Sequence, residues 1–316
     1  MEQVTVDDIK KIIIPASDSH KGQNGRLLLI GGSTLFHAAS LWSLTVASRI
    51  VDLVHYASVP ENNEIVNHAK AEFRNGIVIE RTDIERYIEE DDVILIGPGM
   101  MRSENTMIQD TRSKIHELSE LDSIKEEGVQ TGILVNYLLT KYPEKQWVID
   151  AGALQMMDVR LIPPHAILTP HHGEFQDLWK RICDIRLTIQ EQKNLQIQDS
   201  WNMDPKTLDD QIKIVATTFQ CIVLHKGVED IVCNGETGEM RRICGGNAGM
   251  TKGGTGDVLA GLIAALACKN DPFVSTIAGS LINKKSGDSL YETVGPFFNA
   301  TDLSGEIPKT MKQMLG

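Results

Sequence analysis

The sequence has no long hydrophobic run, no basic run and few cysteines. Its longest apolar run, residues 258–268, is much shorter than the ~20 residues that a membrane-spanning helix needs. No segment concentrates Lys and Arg, and the net charge of the 316-residue chain is −12, which disfavours nucleic acid as a partner. The acidic N-terminus lacks the pattern of a secretory signal. We therefore expect a cytoplasmic protein that binds neither nucleic acid nor membrane.

The five cysteines have neither metal-ligand nor CxxC spacing. Reduced, buried thiols are the expected state of such cysteines in the cytoplasm. The pair His171-His172 with Glu174 could suggest a metal site, but no third ligand has suitable spacing. We therefore expect no metal site built from protein side chains alone.

The sequence also lacks repeats, low-complexity linkers and a convincing domain boundary. Short apolar runs bounded by Gly, Pro and Asp alternate with helical segments, which is typical of a mostly parallel sheet with helices on both faces. Residues 231–243 read as an antiparallel hairpin at one sheet edge. We predict one α/β domain over residues 1–316, with a helical cover at 101–142 and a loop or lid at 184–205. Parallel strands are predicted at residues 26–30, 53–58, 92–96, 147–149, 166–168 and 221–224.

A glycine-rich segment, residues 247–257, ends in an acidic residue that opens the longest apolar run. Glycines let successive backbone N–H groups point into one cavity, and the following helix adds the positive end of its dipole. Such a loop is suited to hold a transferring phosphoryl group, while the Asp257 carboxylate is suited to take a proton from an attacking hydroxyl. Lys252 lies within the loop, where a cation would help to hold anions. The alternative is a glycine-rich turn in which Asp257 only caps a helix.

Several other unusual residues follow predicted strands directly. Ligands of open α/β sheets bind at the carboxyl ends of the strands, so we expect these residues to meet the Asp257 loop at one rim. Asp150 is expected first of all to cap the next helix. Lys21 is either a ligand contact or an ordinary solvated lysine. The residues expected on the rim are 31–33, 97–99, Asp150, His171 and Lys226.

Short motifs along the whole chain resemble those of the NAD(P)H-hydrate dehydratases, a branch of the ribokinase-like superfamily. In this order the motifs are specific, whereas the final Gly-Thr-Gly-Asp alone indicates only the superfamily. They are Ser19-His20-Lys21-Gly22 with Gly25, Gly31-Gly32-Ser33, Gly97-Pro98-Gly99, Asp150-Ala151-Gly152-Ala153-Leu154, Thr169-Pro170-His171 with Gly173-Glu174-Phe175, Lys226-Gly227, and Gly249-Met250 with Gly253-Gly254-Thr255-Gly256-Asp257-Val258-Leu259-Ala260-Gly261.

The resemblance implies a ribokinase-like fold and a cofactor-repair activity. Members of the family convert the 6-hydroxy adduct of NADH or NADPH, its hydrate, back to the intact cofactor. They phosphorylate the hydroxyl with ADP or ATP and then eliminate phosphate, and Mg²⁺ is expected with the nucleotide. A homo-oligomer is expected. Because the chain begins shortly before Ser19, we expect no fused epimerase domain, and any epimerase would be a separate protein.

The resemblance also implies roles for individual residues. Asp257 would be the base at the hydroxyl, and we expect it to be ionised because a helix N-terminus favours the charged form. The implied anion hole is Gly253, Gly254, Thr255 and Gly256. The implied nucleotide contacts are Lys226, Gly227, Val228, Glu229, Asp230 and Gly256. The implied contacts to the hydrated dinucleotide are Ala39, Gly99, His171 and Asp257.

The chain departs from the family pattern in places. The family usually has Gly-Ala where this chain has Ala38-Ala39, and often Thr where this chain has Asp230. A carboxylate near nucleotide phosphates is unfavourable unless it faces away or a metal intervenes. An alternative is a small-molecule kinase of the same superfamily, which would use the same Asp257 loop on a sugar or vitamin alcohol. A third possibility is a nucleotide sensor without catalysis.

Overall fold

The computed structural model describes residues 1–103, 115–193, 205 and 207–316. These residues form ten strands and eleven α-helices. The strands are β1 (Glu2–Gln3), β2 (Arg26–Ile30), β3 (Leu53–Ala57), β4 (Ile77–Val78), β5 (Val93–Ile96), β6 (Gln146–Ile149), β7 (Ile167–Leu168), β8 (Ile222–His225), β9 (Asp230–Asn234) and β10 (Met240–Ile243). The helices are α1 (Val6–Ile9), α2 (His37–Ala47), α3 (Pro60–Ala69), α4 (Ile84–Glu90), α5 (Glu127–Lys141), α6 (Ala151–Met156), α7 (His172–Lys193), α8 (Leu208–Phe219), α9 (Thr255–Ala267), α10 (Pro272–Val294) and α11 (Ala300–Leu315).

All ten strands belong to one sheet, in the order β1-β10-β9-β8-β7-β6-β5-β2-β3-β4. From β8 to β4 in this order, each strand is parallel to the next one. Strand β9 is antiparallel to both β8 and β10. The predicted mostly parallel sheet and its antiparallel hairpin are therefore confirmed. The hairpin is not the outermost element, however, because β1 pairs in parallel with β10.

Two hydrophobic cores lie on opposite faces of the sheet. In β2, Leu27 and Leu29 belong to one core, while Leu28 and Ile30 belong to the other. The side chains of a strand alternate between faces, so an uninterrupted apolar strand must be covered twice. Helices α2, α9, α10 and α11 supply the first cover, and α5, α6, α7 and α8 supply the second.

The predicted strands agree with the structure to within one residue at most ends, but two longer segments differ. The predicted cover at 101–142 is an α-helix only over α5; residues 118–123 form a 3₁₀ turn, and 104–114 lie outside the described residues. The predicted loop at 184–205 is wrong for its first part, because α7 continues to Lys193. The remainder lies outside the described residues, except residue 205. None of the described helices is long and apolar enough to cross a bilayer.

The parallel strands define two ends of the sheet. The segments after β2, β5, β6, β7 and β8 lie at the carboxyl end, where the sequence predicts the ligand-binding rim. Lys21 instead precedes β2 and is exposed at the amino end. There, the Gly22 amide donates a hydrogen bond of 2.7 Å to Asp52, just before β3. The motif around Lys21 therefore lies away from the rim, and the ligand interpretation of Lys21 stays a prediction.

Candidate active site

The glycine-rich loop leads directly into α9 and leaves several amides unpaired. Gly254 is the N-cap residue and has φ = 97°, a conformation that glycine adopts without strain. Among the described residues, the amides of Gly253, Gly254 and Gly256 have no hydrogen-bond acceptor. Orphan donors at a helix N-terminus, together with the helix dipole, form a site for an anion. The glycine loop therefore leads into a helix N-terminus, as the sequence predicts, and its role as an anion hole stays a prediction.

Asp257 is the third residue of α9, and its side chain is partly buried beside this loop. Burial, the largest cause, and the nearby Asp150 together raise the pKa of Asp257 to about 7, although Lys226 opposes both effects. The sequence predicted the ionised form, whereas a pKa of about 7 leaves Asp257 only partly ionised near neutral pH. The helix terminus does favour the carboxylate, but desolvation and a second carboxylate outweigh it. A pKa close to neutrality suits a general base.

Asp150 immediately follows β6 and is only 1% exposed. It occupies the N-cap position of α6, but its side chain makes no capping hydrogen bond, so the predicted capping role is wrong. Its Oδ1 instead accepts hydrogen bonds from Thr169 Oγ1 at 2.7 Å and from Lys226 Nζ at 2.8 Å. The residues after β6, β7 and β8 are thereby joined by one carboxylate.

Lys226 lies between three acidic side chains. Burial alone would lower the pKa of Lys226, but Asp150 and Glu174 together raise it above its usual value, with a smaller contribution from Asp257. Its ammonium also lies over the first turn of α9, because a β-carbon placed on Gly256 would be 3.4 Å from Nζ. The cation and the unpaired amides therefore face the same space.

His171 lies on the same rim, and its backbone forms a β-bridge with Lys226. The His171 amide donates to Glu174 Oε2 at 2.9 Å, and its imidazole Nδ1 accepts from the Glu174 amide at 3.2 Å. Glu174 is buried and also accepts from Gln155 Nε2. The side chain of His171 remains 60% exposed, so the ring is held at its base and is open to a ligand.

Two of the predicted dinucleotide contacts, Ala39 and Gly99, are linked to Asp257 through α2. Ser43 Oγ donates to the Asp257 carbonyl oxygen at 2.7 Å, and Ala39 lies one helical turn before Ser43 on the same face. Gly99 packs against this region, since a β-carbon there would be 2.9 Å from Ala39 Cβ and 2.7 Å from a backbone oxygen. Gly99 also has φ = 72°, so both its conformation and its surroundings favour glycine.

A cleft of about 470 Å³ opens on the other side of the Asp257 loop. The predicted nucleotide residues line it, except Glu229, and its wall also includes residues that the sequence did not single out. The lining residues are Lys226, Gly227, Val228, Asp230, Gly245, Gly246, Asn247, Ala248, Met250, Thr251, Thr255, Gly256, Leu259, Asn283 and Lys284. Glu229 instead pairs with Arg242 at 2.9 Å.

Asp230 faces into the wall of the cleft. Its Oδ1 accepts from the Gly227 amide at 2.9 Å, and its Oδ2 accepts from Ser280 Oγ at 2.7 Å. Lys284 Nζ lies 3.2 Å from Asp230 Oδ1 and donates to the Gly227 and Val228 carbonyl oxygens. The expected conflict between Asp230 and nucleotide phosphates is therefore resolved by orientation and by a lysine that sequence reasoning missed.

Lys252 does not contribute its cation to the glycine loop. Its ammonium donates to the carbonyl oxygens of Pro296 and Gly249 and lies 5.3 Å from the centre of the Phe298 ring. These contacts do not favour the predicted role of Lys252 in holding anions. The ammonium that lies over the first turn of α9 is that of Lys226.

Within the described parts of the chain, no group of three or more His, Cys, Asp or Glu side chains is placed to hold a metal ion. Near the anion site, Asp150 is already paired with Lys226. The donor set therefore suits a Mg²⁺ ion that arrives on nucleotide phosphates and keeps most of its water, as Mg²⁺ commonly does. The described donor atoms near this site do not surround a metal ion with protein ligands alone.

Comparison with known proteins identifies one family over most of the chain. A family described as NAD(P)H-hydrate dehydratase matches residues 27–309. A bifunctional NAD(P)H-hydrate repair enzyme of Methanocaldococcus jannaschii is 32% identical over 312 residues, which are 96% of this chain and 52% of that protein. An ADP-dependent (S)-NAD(P)H-hydrate dehydratase of Nitrosopumilus maritimus is 31% identical over 320 residues, covering 96% of this chain and 94% of that protein. The chain spans about half the length of the bifunctional relatives.

Solved structures share the fold over nearly the full length. A ribokinase-like superfamily protein of Enterococcus faecalis matches with a TM-score of 0.74 and 23% identity, covering 99% of this chain and 96% of the other. An ADP/ATP-dependent NAD(P)H-hydrate dehydratase of Bacillus subtilis, co-crystallised with ATP and Mg²⁺, matches with a TM-score of 0.69 and 20% identity, covering 99% and 98%. The predicted ribokinase-like fold is confirmed.

Proposed function

Since this chain belongs to the NAD(P)H-hydrate dehydratase family, we propose that it repairs hydrated NADH or NADPH with an adenine nucleotide as phosphoryl donor. The observation that carries this proposal is the position of Asp257, a carboxyl group with a pKa of about 7 beside unpaired helix amides and a lysine. These are the parts that phosphoryl transfer to a hydroxyl requires: a base, an anion site and a cation.

The nucleotide occupies the cleft formed by residues 226–230 and 245–251, with its terminal phosphate at the start of α9. The hydrated dinucleotide lies on the other side of Asp257, against Ala39, Gly99 and His171. The exposed His171 ring and the close approach of Gly99 to α2 support this assignment. The two ligands then meet at the Asp257 carboxylate.

The reaction begins when Asp257 takes the proton of the 6-hydroxyl group. The hydroxyl oxygen attacks the terminal phosphorus, and the bond from that phosphorus to the bridging oxygen breaks. The amides of Gly253, Gly254 and Gly256 and the Lys226 ammonium stabilise the charge on the phosphoryl oxygens. Elimination then breaks the carbon–oxygen bond and removes a proton from the neighbouring ring carbon, which restores the ring double bond. The departing phosphate can accept that proton, and it leaves where hydroxide, a much poorer leaving group, would not.

The donor is either ADP, as the name of the N. maritimus relative states, or ATP, which the B. subtilis structure contains. Mg²⁺ would be held by the phosphates and would neutralise part of their charge. We also expect a cytoplasmic homo-oligomer, and an epimerase activity as its metabolic partner. Light scattering in solution measures the oligomeric state directly.

The decisive experiment supplies purified protein with hydrated NADH and hydrated NADPH, each with ADP, ATP or no nucleotide, with Mg²⁺ or a chelator. The expected result is recovery of the reduced-nicotinamide absorbance with at least one nucleotide and none without. Release of one phosphate per cofactor restored supports the elimination step. If neither hydrate is restored and a sugar or vitamin alcohol is phosphorylated instead, the protein is a small-molecule kinase.

A further inference from the structure

We infer that Asp150 is a positioning residue of this site, which holds the Lys226 ammonium over the first turn of α9 and away from Asp257. The inference rests on the proposed function for its meaning in turnover. Its geometry, however, is a property of the protein without any ligand. Asp150 is not one of the residues for which the family resemblance implies a binding role.

The Asp150 carboxylate is built into the structure as a buried acceptor. It is 1% exposed, and its Oδ1 receives both Thr169 Oγ1 and Lys226 Nζ within 2.8 Å. A buried carboxylate is tolerated only when it is hydrogen-bonded and paired, and these two donors satisfy that condition. The carboxylate, the hydroxyl and the ammonium therefore fix one another.

Lys226 keeps donors for a ligand while it is paired. An ammonium group has three hydrogens, and in the described structure Asp150 is its one hydrogen-bond acceptor. The side chain is 16% exposed, and it lines the nucleotide cleft beside Gly256. The remaining hydrogens can therefore reach a phosphate oxygen at the start of α9.

Three acidic groups compete for this single cation. Glu174 on α7 and Asp257 on α9 both interact with Lys226 electrostatically, but only Asp150 lies within hydrogen-bond distance. A lysine side chain is flexible, so without Asp150 it would turn toward the remaining carboxylates. Pairing with Asp257 would stabilise that carboxylate and make it a weaker base. Asp150 thus separates the base from the cation.

The direction of the Asp257 pKa agrees with this geometry. Burial is the largest cause of its rise to about 7, Asp150 is the second, and Lys226 acts in the opposite direction. Replacing Asp150 with Asn removes a negative neighbour and releases the cation toward Asp257. Both changes lower the pKa of Asp257.

The test compares wild type with Asp150→Asn and with Asp91→Asn. Asp91 is a similarly buried carboxylate that contacts the His55 imidazole at 2.8 Å, but it precedes β5 at the opposite end of the sheet. The carboxyl carbon of Asp257 is titrated by ¹³C NMR, and ADP affinity is measured by calorimetry. We expect the midpoint of Asp257 to fall by about one pH unit or more, and ADP affinity to fall about tenfold, in Asp150→Asn alone.

An unchanged midpoint together with unchanged ADP affinity in Asp150→Asn overturns the inference. If that variant does not fold, Thr169→Val removes one donor to Oδ1 and keeps the charge. It must then weaken ADP binding several-fold, and unaltered binding also overturns the inference. If wild type neither binds ADP nor restores either hydrate, the proposed function fails, and the Asp257 titration alone decides the role of Asp150.

Discussion

The Nζ atom of Lys284 lies 3.2 Å from Oδ1 of Asp230, and both side chains are almost fully buried in the wall of the nucleotide cleft. The same ammonium donates to the carbonyl oxygens of Gly227 and Val228. The ammonium therefore contacts three oxygen atoms within the wall, and the turn that carries the predicted nucleotide contacts is tied to α10. Asp230, which departs from the family pattern, is thus a structural residue with its own counter-ion.

Lys284→Met is expected to lower the free energy of unfolding by about 3–5 kcal/mol, because it leaves Asp230 buried without its counter-ion. Asp230→Thr leaves the lysine unpaired and is also destabilising. The double variant removes both charges and should recover most of the loss. Urea unfolding of the three variants measures this coupling.

Lys285→Met is the matched control, since the neighbouring lysine is 49% exposed and, among the residues that the structure describes, pairs with Asp288 alone. Lys285→Met should change the free energy of unfolding by no more than about 0.5 kcal/mol. The double variant of Asp230→Thr and Lys284→Met could instead lose as much free energy of unfolding as the two single variants together. That result would show that Asp230 and Lys284 do not stabilise each other.

The activity of the protein is expected to depend on pH through Asp257. Burial and Asp150 raise the pKa of this residue to about 7, and only the ionised form can accept a proton. The value of kcat/KM should therefore rise about tenfold per pH unit below neutrality and level off above it. Stability and ADP affinity, measured over the same range, serve as controls. A flat profile from about pH 5.5 to about pH 8.5 would exclude Asp257 as the general base.

The fold and the position of the site were predictable because their signals are local. The apolar strands, the residues that follow them and the glycines before Asp257 are contiguous in sequence. Parallel strands bring their carboxyl ends together in any such sheet. The structure accordingly confirms that the residues following β6, β7 and β8 meet the start of α9.

The partners of the charged residues were not predictable, because they are distant in sequence. Asp150 and Lys226 are 76 residues apart, and Lys284 is 57 residues from Gly227. Composition indicates that a carboxylate is present but not which cation it meets. The pKa of Asp257 is likewise set by burial and by neighbours from other elements, and the helix terminus alone did not indicate that it is raised.

Asp257→Asn is expected to fold normally and to lose about 10²- to 10⁴-fold in turnover, because the amide accepts no proton from the hydroxyl. It should also change the pH dependence of stability. The folded-state pKa of Asp257 is raised from 3.8 to about 7, so ionising it in the folded protein costs stability. Wild type therefore loses stability as pH rises from about 4 through about 7, and the variant does not.

The advantage of Asp257→Asn over wild type should thus grow by on the order of 2 kcal/mol between pH 5 and pH 8. Urea unfolding at both pH values measures it, with Asp7→Asn, a change at an exposed residue, as the control. Near-normal turnover would remove Asp257 from the mechanism, whatever the stability result.

The two adjacent glycines of the predicted anion hole should respond very differently to alanine. Gly254 has φ = 97°, and a β-carbon there would lie 2.3 Å from Cζ3 of Trp42 and 2.7 Å from Cβ of Ala300. A β-carbon on Gly253 would meet nothing within 4 Å. Gly254→Ala is therefore expected to lower the free energy of unfolding by on the order of 3 kcal/mol, because of backbone strain and steric overlap. Gly253→Ala should change it by no more than about 0.5 kcal/mol.

Unfolding in urea and ADP calorimetry on both variants separate the causes. Gly254→Ala should lose ADP affinity together with stability, because relieving the overlap with Trp42 moves the amides at the start of α9. Gly253→Ala keeps the backbone conformation, so any change in its ADP affinity comes from the added methyl group in the anion site. Equal stability of the two variants would mean that contact with Trp42 does not fix the loop, and the arrangement of amides beside Asp257 would then need another cause.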